Sequence, residues 1–418
     1  MEQIILSLAI VMLLGVLCIK CFDRLGVPAF LGFLLIGILL GPYAINILNI
    51  EFMGLTQEIA TLAMVILLIR AGLGLSRDAL RKVGRVAVEM SFIPSVCEGI
   101  LVMIVGHYFL GISFIESGML GFILAAVSPA ILVPRMLNLI DKGLGAKRNV
   151  PSILLTGSSA DDVVAITIFS VFLGMYTGGN INIAWSIASI PISLILGVLT
   201  GFATGLVLLY AFKKWNFSDI EKLFVTLATG ILLNSVGEAL QGRIPLAGLV
   251  GVMVIGFLLL DRMPKVALGL SNRYSNLWIA AEIVIFVLLG AQLELPLLIE
   301  TPEGLFAPVI ILGILVICMG LIARFGGVYM ALAGSGLNNK EKLYCMVSYV
   351  PKANVQATIG AVPLAAGVAS GELILAISAI AIIFTAPLGA LLMDFLKDKL
   401  LTKDDDFDSS NAIKFTHH

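Results

Sequence analysis

Residues 156–164 read Thr156-Gly157-Ser158-Ser159-Ala160-Asp161-Asp162-Val163-Val164, two adjacent carboxylates in the middle of an otherwise apolar stretch. An ionisable side chain at the centre of a bilayer costs at least about 2.5–3.5 kcal/mol on insertion scales, so such a residue is a functional candidate by default. On a helix the two carboxylates stand about 100° apart and line a polar seam rather than a single spot. Ser158, four residues before Asp162, shares its face. Three further charges lie deep in apolar stretches: Glu98 in Pro94-Ser95-Val96-Cys97-Glu98-Gly99, Arg324 in Leu321-Ile322-Ala323-Arg324-Phe325-Gly326, and Lys352 in Ser348-Tyr349-Val350-Pro351-Lys352. A buried charge persists only when it is paired. Three acids against two bases leave one negative charge over, which suits a site that takes one monovalent cation or a proton in its place. The competing reading, a purely structural ion-pair network, is strongest for Glu98 and Arg324. Glu58, Glu89, Glu238 and Glu282 lie nearer the ends of their stretches, and Arg70 is within snorkelling reach of one, so these read as solvated or interfacial.

Two of the apolar stretches are interrupted. One carries Ala126-Val127-Ser128-Pro129-Ala130-Ile131-Leu132-Val133-Pro134-Arg135, the other Ser348-Tyr349-Val350-Pro351-Lys352-Ala353-Asn354-Val355-Gln356-Ala357-Thr358. Proline removes a helix hydrogen bond and clashes with the preceding turn. Non-helical backbone at membrane depth is tolerated only where protein buries it or it lines a cavity.

The rest of the chain must position these residues in lipid. Of 418 residues 59% are apolar and only 13% charged, too few charges to cover a soluble surface. The net charge of −1 gives no field that would attract nucleic acid. A crossing helix needs roughly 20 apolar residues. The pattern predicts thirteen, near 3–21, 27–42, 56–75, 87–109, 115–139, 150–174, 184–212, 220–240, 246–261, 275–295, 305–334, 341–367 and 371–396. With the N-terminus outside and the C-terminus inside, Arg243 is the one basic residue of 26 in an outer loop. Arg70, Arg324 and Lys352 lie within spans, and all the others fall on the inner side, as the positive-inside rule requires. If spans 1–6 and 8–13 are two repeats, they have opposite orientation, and the interrupted spans 5 and 12 correspond. Paired interruptions in inverted halves point to a transporter site at mid-membrane. Exposed half-helix ends carry partial charges, and Lys352 is expected to neutralise negative ones.

Other motifs say less. Gly197, Gly201 and Gly205 form a small-residue face that suits either a dimer interface or an internal contact. Arg70-Ala71-Gly72-Leu73-Gly74-Leu75 lacks the features of a phosphate loop. Cys18 and Cys21 have CxxC spacing but sit at the end of an apolar helix and read as packing. Two of the three histidines are the final residues His417 and His418, which argues against a histidine-based metal site.

The combination Gly157-Ser158-Ser159-Ala160-Asp161-Asp162, Pro94…Glu98, Arg324 and Pro351-Lys352-Ala353-Asn354-Val355-Gln356 resembles the monovalent cation:proton antiporters, and most closely their sodium/proton NHA branch, over about residues 1–397. The resemblance implies a rigid dimerisation domain, a mobile core bearing two crossed broken helices, elevator-like alternating access and a homodimer. It makes Asp162 the main cation- and proton-binding carboxylate, with Asp161 as its partner and Ser158 and the Ser128 region completing the ligands. Glu98 and Arg324 match a core-domain pair, and Lys352 the basic residue of the second broken helix. Asp161 stands where electroneutral relatives carry Asn, which favours electrogenic exchange, although the Glu98–Arg324 pair also occurs on the electroneutral side.

The sequence therefore leads to an all-α polytopic membrane protein. Its dimerisation domain comprises spans 1–3 and 7–10, its core comprises 87–174 and 305–396, and a short tail covers 398–418, too short for a regulatory nucleotide-binding module. The expected activity is Na+ (or Li+) for H+ antiport in the plasma (inner) membrane. Asp161 and Asp162 hold the transported metal ion, and Pro129, Pro351, Asn354 and Gln356 shape the interruptions. No cofactor, enzymatic chemistry or nucleic-acid partner is expected. A K+/H+ antiporter or a sodium-coupled symporter on the same scaffold is the alternative.

Overall fold

The computed structural model describes residues 2–25, 29–74, 77–178, 183–240, 244, 246–299, 301 and 307–403. Long apolar runs whose backbone groups must be satisfied without water become helices. In chain order these are α1 (Glu2–Leu25), α2 (Ala29–Leu40), α3 (Ile50–Met53), α4 (Thr56–Gly74), α5 (Arg77–Leu110), α6 (Phe114–Leu124), α7 (Pro129–Asp141), α8 (Val150–Thr177) and α9 (Ile183–Lys214). They continue with α10 (Asp219–Ala239), α11 (Gly248–Arg262), α12 (Pro264–Ala291), α13 (Leu295–Ile299), α14 (Val309–Ala331), α15 (Asn339–Ser348), α16 (Asn354–Ile359), α17 (Val362–Ala365) and α18 (Gly371–Leu400). By length and composition, eight described helices suffice to cross a membrane. The only β pairing among the described residues is an isolated bridge between Leu144 and Lys403.

Local chemistry sets the ends. Capping boxes start three helices: Ser113 with Glu116 at α6, Ser218 with Glu221 at α10, and Asn338 with Glu341 at α15. Each satisfies two amides that the helix cannot. Proline in the first turn of α7, α8 and α12 costs no hydrogen bond there.

Each expected stretch overlaps a helix, the fifth being divided between α6 and α7 and the twelfth among α15, α16 and α17, but some boundaries differ. The tenth was placed at 275–295, whereas α12 begins at Pro264; Lys265, Asn272 and Arg273 lower the local apolarity without breaking the helix. The fourth extends back to Arg77 through a kink at Gly84, whose φ of 50° favours glycine. Helix α18 continues to Leu400, into the stretch read as a tail, of which 404–418 lie outside the described residues, as does Arg243. Cys18 and Cys21 are free thiols, and the Cys18 thiol donates to the Ala29 carbonyl.

The helices pack in two manners. In one set, glycines bring backbones into contact. Gly37 of α2 meets the Val287 carbonyl of α12, while Gly290 of α12 meets the Leu34 carbonyl of α2. Gly72 of α4 and Gly256 of α11 do the same, against Met253 and Ile69. Gly197, Gly201 and Gly205 of α9 face Ala247, just before α11, and Gly251 and Leu258 of α11, so the glycine stripe is an internal contact. In the other set, α5 packs along α6, α8 and α14, and α18 along α14 and α15. This second set buries nearly all of the deep charges.

Candidate functional site

The site forms where the two interruptions cross. Helix α6 ends at Leu124 and α7 starts at Pro129, with Ser128 extended between them; α15 ends at Ser348 and α16 starts at Asn354. The Ser128 amide donates to the Pro351 carbonyl at 2.8 Å, one interruption pairing directly with the other. Beside it, the Ser128 hydroxyl donates to Asn354 Oδ1 at 2.9 Å.

Four consecutive carbonyls at the end of α6 would be orphaned in a dry interior, where an unmet backbone group is costly. All four are met by side chains. Gln356 Nε2 donates to the Ile123 carbonyl at 2.8 Å and the Ala126 carbonyl at 3.1 Å. Lys352 Nζ donates to Leu124 and Arg324 to Ala125, which also accepts from the Ser95 hydroxyl at 2.9 Å. Lys352 thus neutralises the negative end of a half-helix. It shares that task with Arg324 of α14, one helix earlier in the chain.

The same two cations hold the acids. Arg324 lies 2.6 Å from Glu98 Oε2 through one terminal nitrogen and 2.6 Å from Asp161 Oδ2 through the other. Lys352 Nζ lies 2.7 Å from Glu98 Oε1. Asp161 also accepts the Val127 amide at 3.0 Å, which ties α8 to the first interruption. All of these side chains are fully buried, where ion pairs and hydrogen bonds reinforce one another. Asp162, only 2% exposed, has no ion pair among the described residues, and its Oδ1 accepts no hydrogen bond. Asp161 Oδ1 and Gln356 Oε1 are also without hydrogen-bond partners. Glu98, Asp161, Arg324 and Lys352 form a balanced set, and the one negative charge left over falls on Asp162. Hard monovalent cations favour oxygen donors of this kind.

Ser158 is buried, but its hydroxyl donates to the Leu155 carbonyl of its own helix at 3.2 Å. Of the weaker acids, Glu58 is exposed, Glu89 pairs with Arg85 at 2.5 Å and Glu238 accepts from Asn234 at 2.8 Å, whereas Glu282 is not a surface group: it is partly buried and interacts with Arg70 and Trp278. Three contributors were not expected from the sequence. Thr385 of α18 accepts the Lys352 amide at 3.0 Å. Ser95 supports the α6 end, and the Tyr349 ring lies 5.1 Å from the Arg324 guanidinium. Ser95 and Thr385 share one signal, a hydroxyl next to or two residues from a helix proline. A separate cavity of about 410 Å³ lies among the ends of α2, α4, α12 and α17, lined by Tyr43, Thr56, Glu58, Gln292 and Leu364.

The chain is similar throughout to known exchangers. A family model described as "Sodium/hydrogen exchanger, transmembrane" matches residues 8–395. Sodium/hydrogen exchanger 9B2 of Homo sapiens is 31% identical over 391 residues, covering 90% of this chain and 70% of the relative. Sodium/hydrogen exchanger 9B1 of Macaca fascicularis is 31% identical over 391 residues, covering 88% and 73%. Among solved structures, the sodium proton antiporter MjNhaP1 from Methanocaldococcus jannaschii superposes with a TM-score of 0.80 at 22% identity, covering 96% of this chain and 99% of that one, a likeness of fold. With a matched segment that spans nearly all of its helices, the chain belongs to the sodium/hydrogen exchanger family, a multi-pass membrane branch of the monovalent cation:proton antiporter superfamily.

Proposed function

We propose that the protein exchanges Na+ or Li+ for H+ across the plasma (inner) membrane, with Asp162 binding cation and proton alternately. One observation carries this reading: Asp162 is the buried acid for which the surrounding bases supply no partner. A lone carboxylate out of water favours its neutral form or a bound cation, which is the competition exchange requires. Asp161 assists from the same seam, and Ser158 and the Ser128 region complete the ligand set.

The pairing also bears on stoichiometry. Asp161 and Glu98 already hold fixed cations, so one vacancy supports one proton per cation and weighs against the electrogenic exchange that Asp161 favours by resemblance. A second proton would have to come from Asp161 or Lys352, each at the cost of a buried ion pair.

The moving parts follow the two manners of packing. We assign spans 1–3 and 7–10 to a rigid, homodimer-forming unit and spans 4–6 and 11–13 to a core that carries the site across in an elevator-type movement. We keep the reading of thirteen spans with the N-terminus outside, arranged as inverted repeats; the reciprocal glycine contacts support the repeat within it. If span i corresponds to span i + 7, the α2–α12 pair maps onto the α11–α4 pair, and each is joined by one glycine from either side. The cavity at Tyr43, Glu58 and Gln292 lies between the two units and, in this orientation, on the outer face.

The test is dye-quench transport with purified protein in liposomes. Wild-type protein dissipates a pH gradient on addition of Na+ or Li+, and Asp162→Asn, still folded, does not. Retained cation-dependent proton flux in that variant would remove Asp162 from the role. Running the assay with K+, and with the membrane potential clamped or applied, separates the K+/H+ alternative and fixes the charge moved. A requirement for a co-transported solute would identify a symporter instead.

A further inference from the structure

Arg324 poses a problem of restraint. Its guanidinium is fully buried and reaches Glu98, the Ala125 carbonyl and Asp161, yet its Nε has no hydrogen-bond partner. Asp162 is adjacent in sequence to Asp161 and carries an unmet oxygen. A guanidinium free to rotate would gain by dividing itself between the two acids, and it would then occupy the charge vacancy that a transported cation needs. Glu98 and the Ala125 carbonyl hold one terminal nitrogen, and the swing of the other, on Asp161, calls for a further restraint.

The group placed to do so is Tyr349, the first residue past α15. Its side chain is fully buried, and its ring centroid lies 5.1 Å from Arg324 Cζ, within cation–π range in a desolvated setting. The ring is itself fixed at its far end. The phenol donates to the Met90 carbonyl of α5 at 3.4 Å. The space around the hydroxyl is kept open by Gly157 of α8, where a Cβ would run into the Tyr349 oxygen and into Met90. Gly157 lies one helical turn before Asp161. The conspicuous glycine of the Gly157-Ser158-Ser159-Ala160-Asp161-Asp162 stretch thus makes room for a side chain from the opposite interruption.

We propose that Tyr349 is a positioning residue that pins the Arg324 guanidinium to Asp161 and so keeps Asp162 free for the transported cation. The proposal rests on the reading of Asp162 as the cation site. It makes the second interruption contribute twice: Lys352 caps the α6 end, and Tyr349, three residues earlier, sets where the other cation points.

The effect should appear in cation affinity rather than turnover. Tyr349→Leu has similar bulk without a π face. It is expected to raise the apparent KM for Na+ or Li+ roughly tenfold while kcat changes less than about threefold, because the released guanidinium competes with the cation. Tyr349→Phe, which keeps the face and loses only the long bond to Met90, is expected to stay within about twofold of wild type in KM. Each variant is measured in proteoliposomes after size-exclusion confirms a monodisperse protein. Equal KM values for the Leu, Phe and wild-type proteins, or a loss confined to kcat, would overturn the proposal. So would a Phe variant as impaired as Leu, since that would assign the effect to the hydroxyl. If Leu does not give stable protein, Gly157→Ala, which crowds the hydroxyl, replaces it with the same expected direction in KM. Asp162→Asn in the same assay keeps the two readings apart: flux in that variant ends the cation-site reading, whereas a silent Asp162→Asn with normal KM in Tyr349→Leu ends only this one.

Discussion

Two regions of this protein differ in what joins their helices: glycines let backbones approach in both, as Gly121 of α6 does against the Gly99 carbonyl of α5, but only one region adds buried ion pairs. Where α2 meets α12, α4 meets α11 and α9 meets α11, glycines let backbone lie on backbone, and the contacts carry no charge. Where α5, α6, α8, α14 and the second interruption meet, four paired acidic and basic side chains and a row of carbonyls, all buried, join the helices. Close apolar packing is sharply sensitive to added volume and indifferent to ions. A buried ion network behaves the other way: it contributes little net stability when complete, and it fails badly when one partner is removed. The first suits a frame that stays put. The second suits the proposed carrier of the ion, whose charge balance would shift by one unit in each exchange.

That contrast can be broken from the charged side first. Arg324→Ala leaves Asp161 without a base and Glu98 with Lys352 alone, and takes one of its two side-chain donors from the Ala125 carbonyl. Removing one member of such a network costs about 3–5 kcal/mol. Thermal unfolding in detergent is expected to show a large drop in midpoint, and transport should vanish. A variant of near wild-type stability would mean that the network is not what joins α5 to α14.

The frame gives the smaller effect. A side chain at Gly201 meets the Gly251 backbone, which cannot step aside, so Gly201→Val is expected to cost about 1–3 kcal/mol through overpacking. Because the change lies away from the charged cluster, the apparent KM for Na+ should be unchanged in the protein that remains folded. A raised KM there would erase the distinction between the two regions.

Much of this was legible in the sequence, for physical reasons that differ by residue. The deep charges Glu98, Asp161, Asp162, Arg324 and Lys352 stand out because lipid makes them costly, and Pro129 and Pro351 mark the interruptions because a helix cannot absorb them. The count of charges already gave one negative left over. Which acid carries it was not legible: Asp161 and Asp162 are neighbours in sequence and differ only in the direction each faces. The pairing of Lys352 with Glu98, rather than with either aspartate, is also a matter of three dimensions. Thr385, Ser95 and Tyr349 escaped notice because hydroxyls and aromatic rings are common in apolar spans and carry no insertion penalty to flag them. The glycines of α9 left two readings open, since the same small-residue face serves a neighbouring helix or a second subunit.

The account stands on Asp162 being the one acid of the charged cluster without a base, and that can be counted directly. Purified protein in weak buffer, at a pH low enough that the site is still protonated, is mixed with saturating Na+, and the protons released are titrated with a pH dye. The account predicts about one proton per chain for the wild type and none for Asp162→Asn. Two protons per chain, or release that persists in the variant, would contradict it.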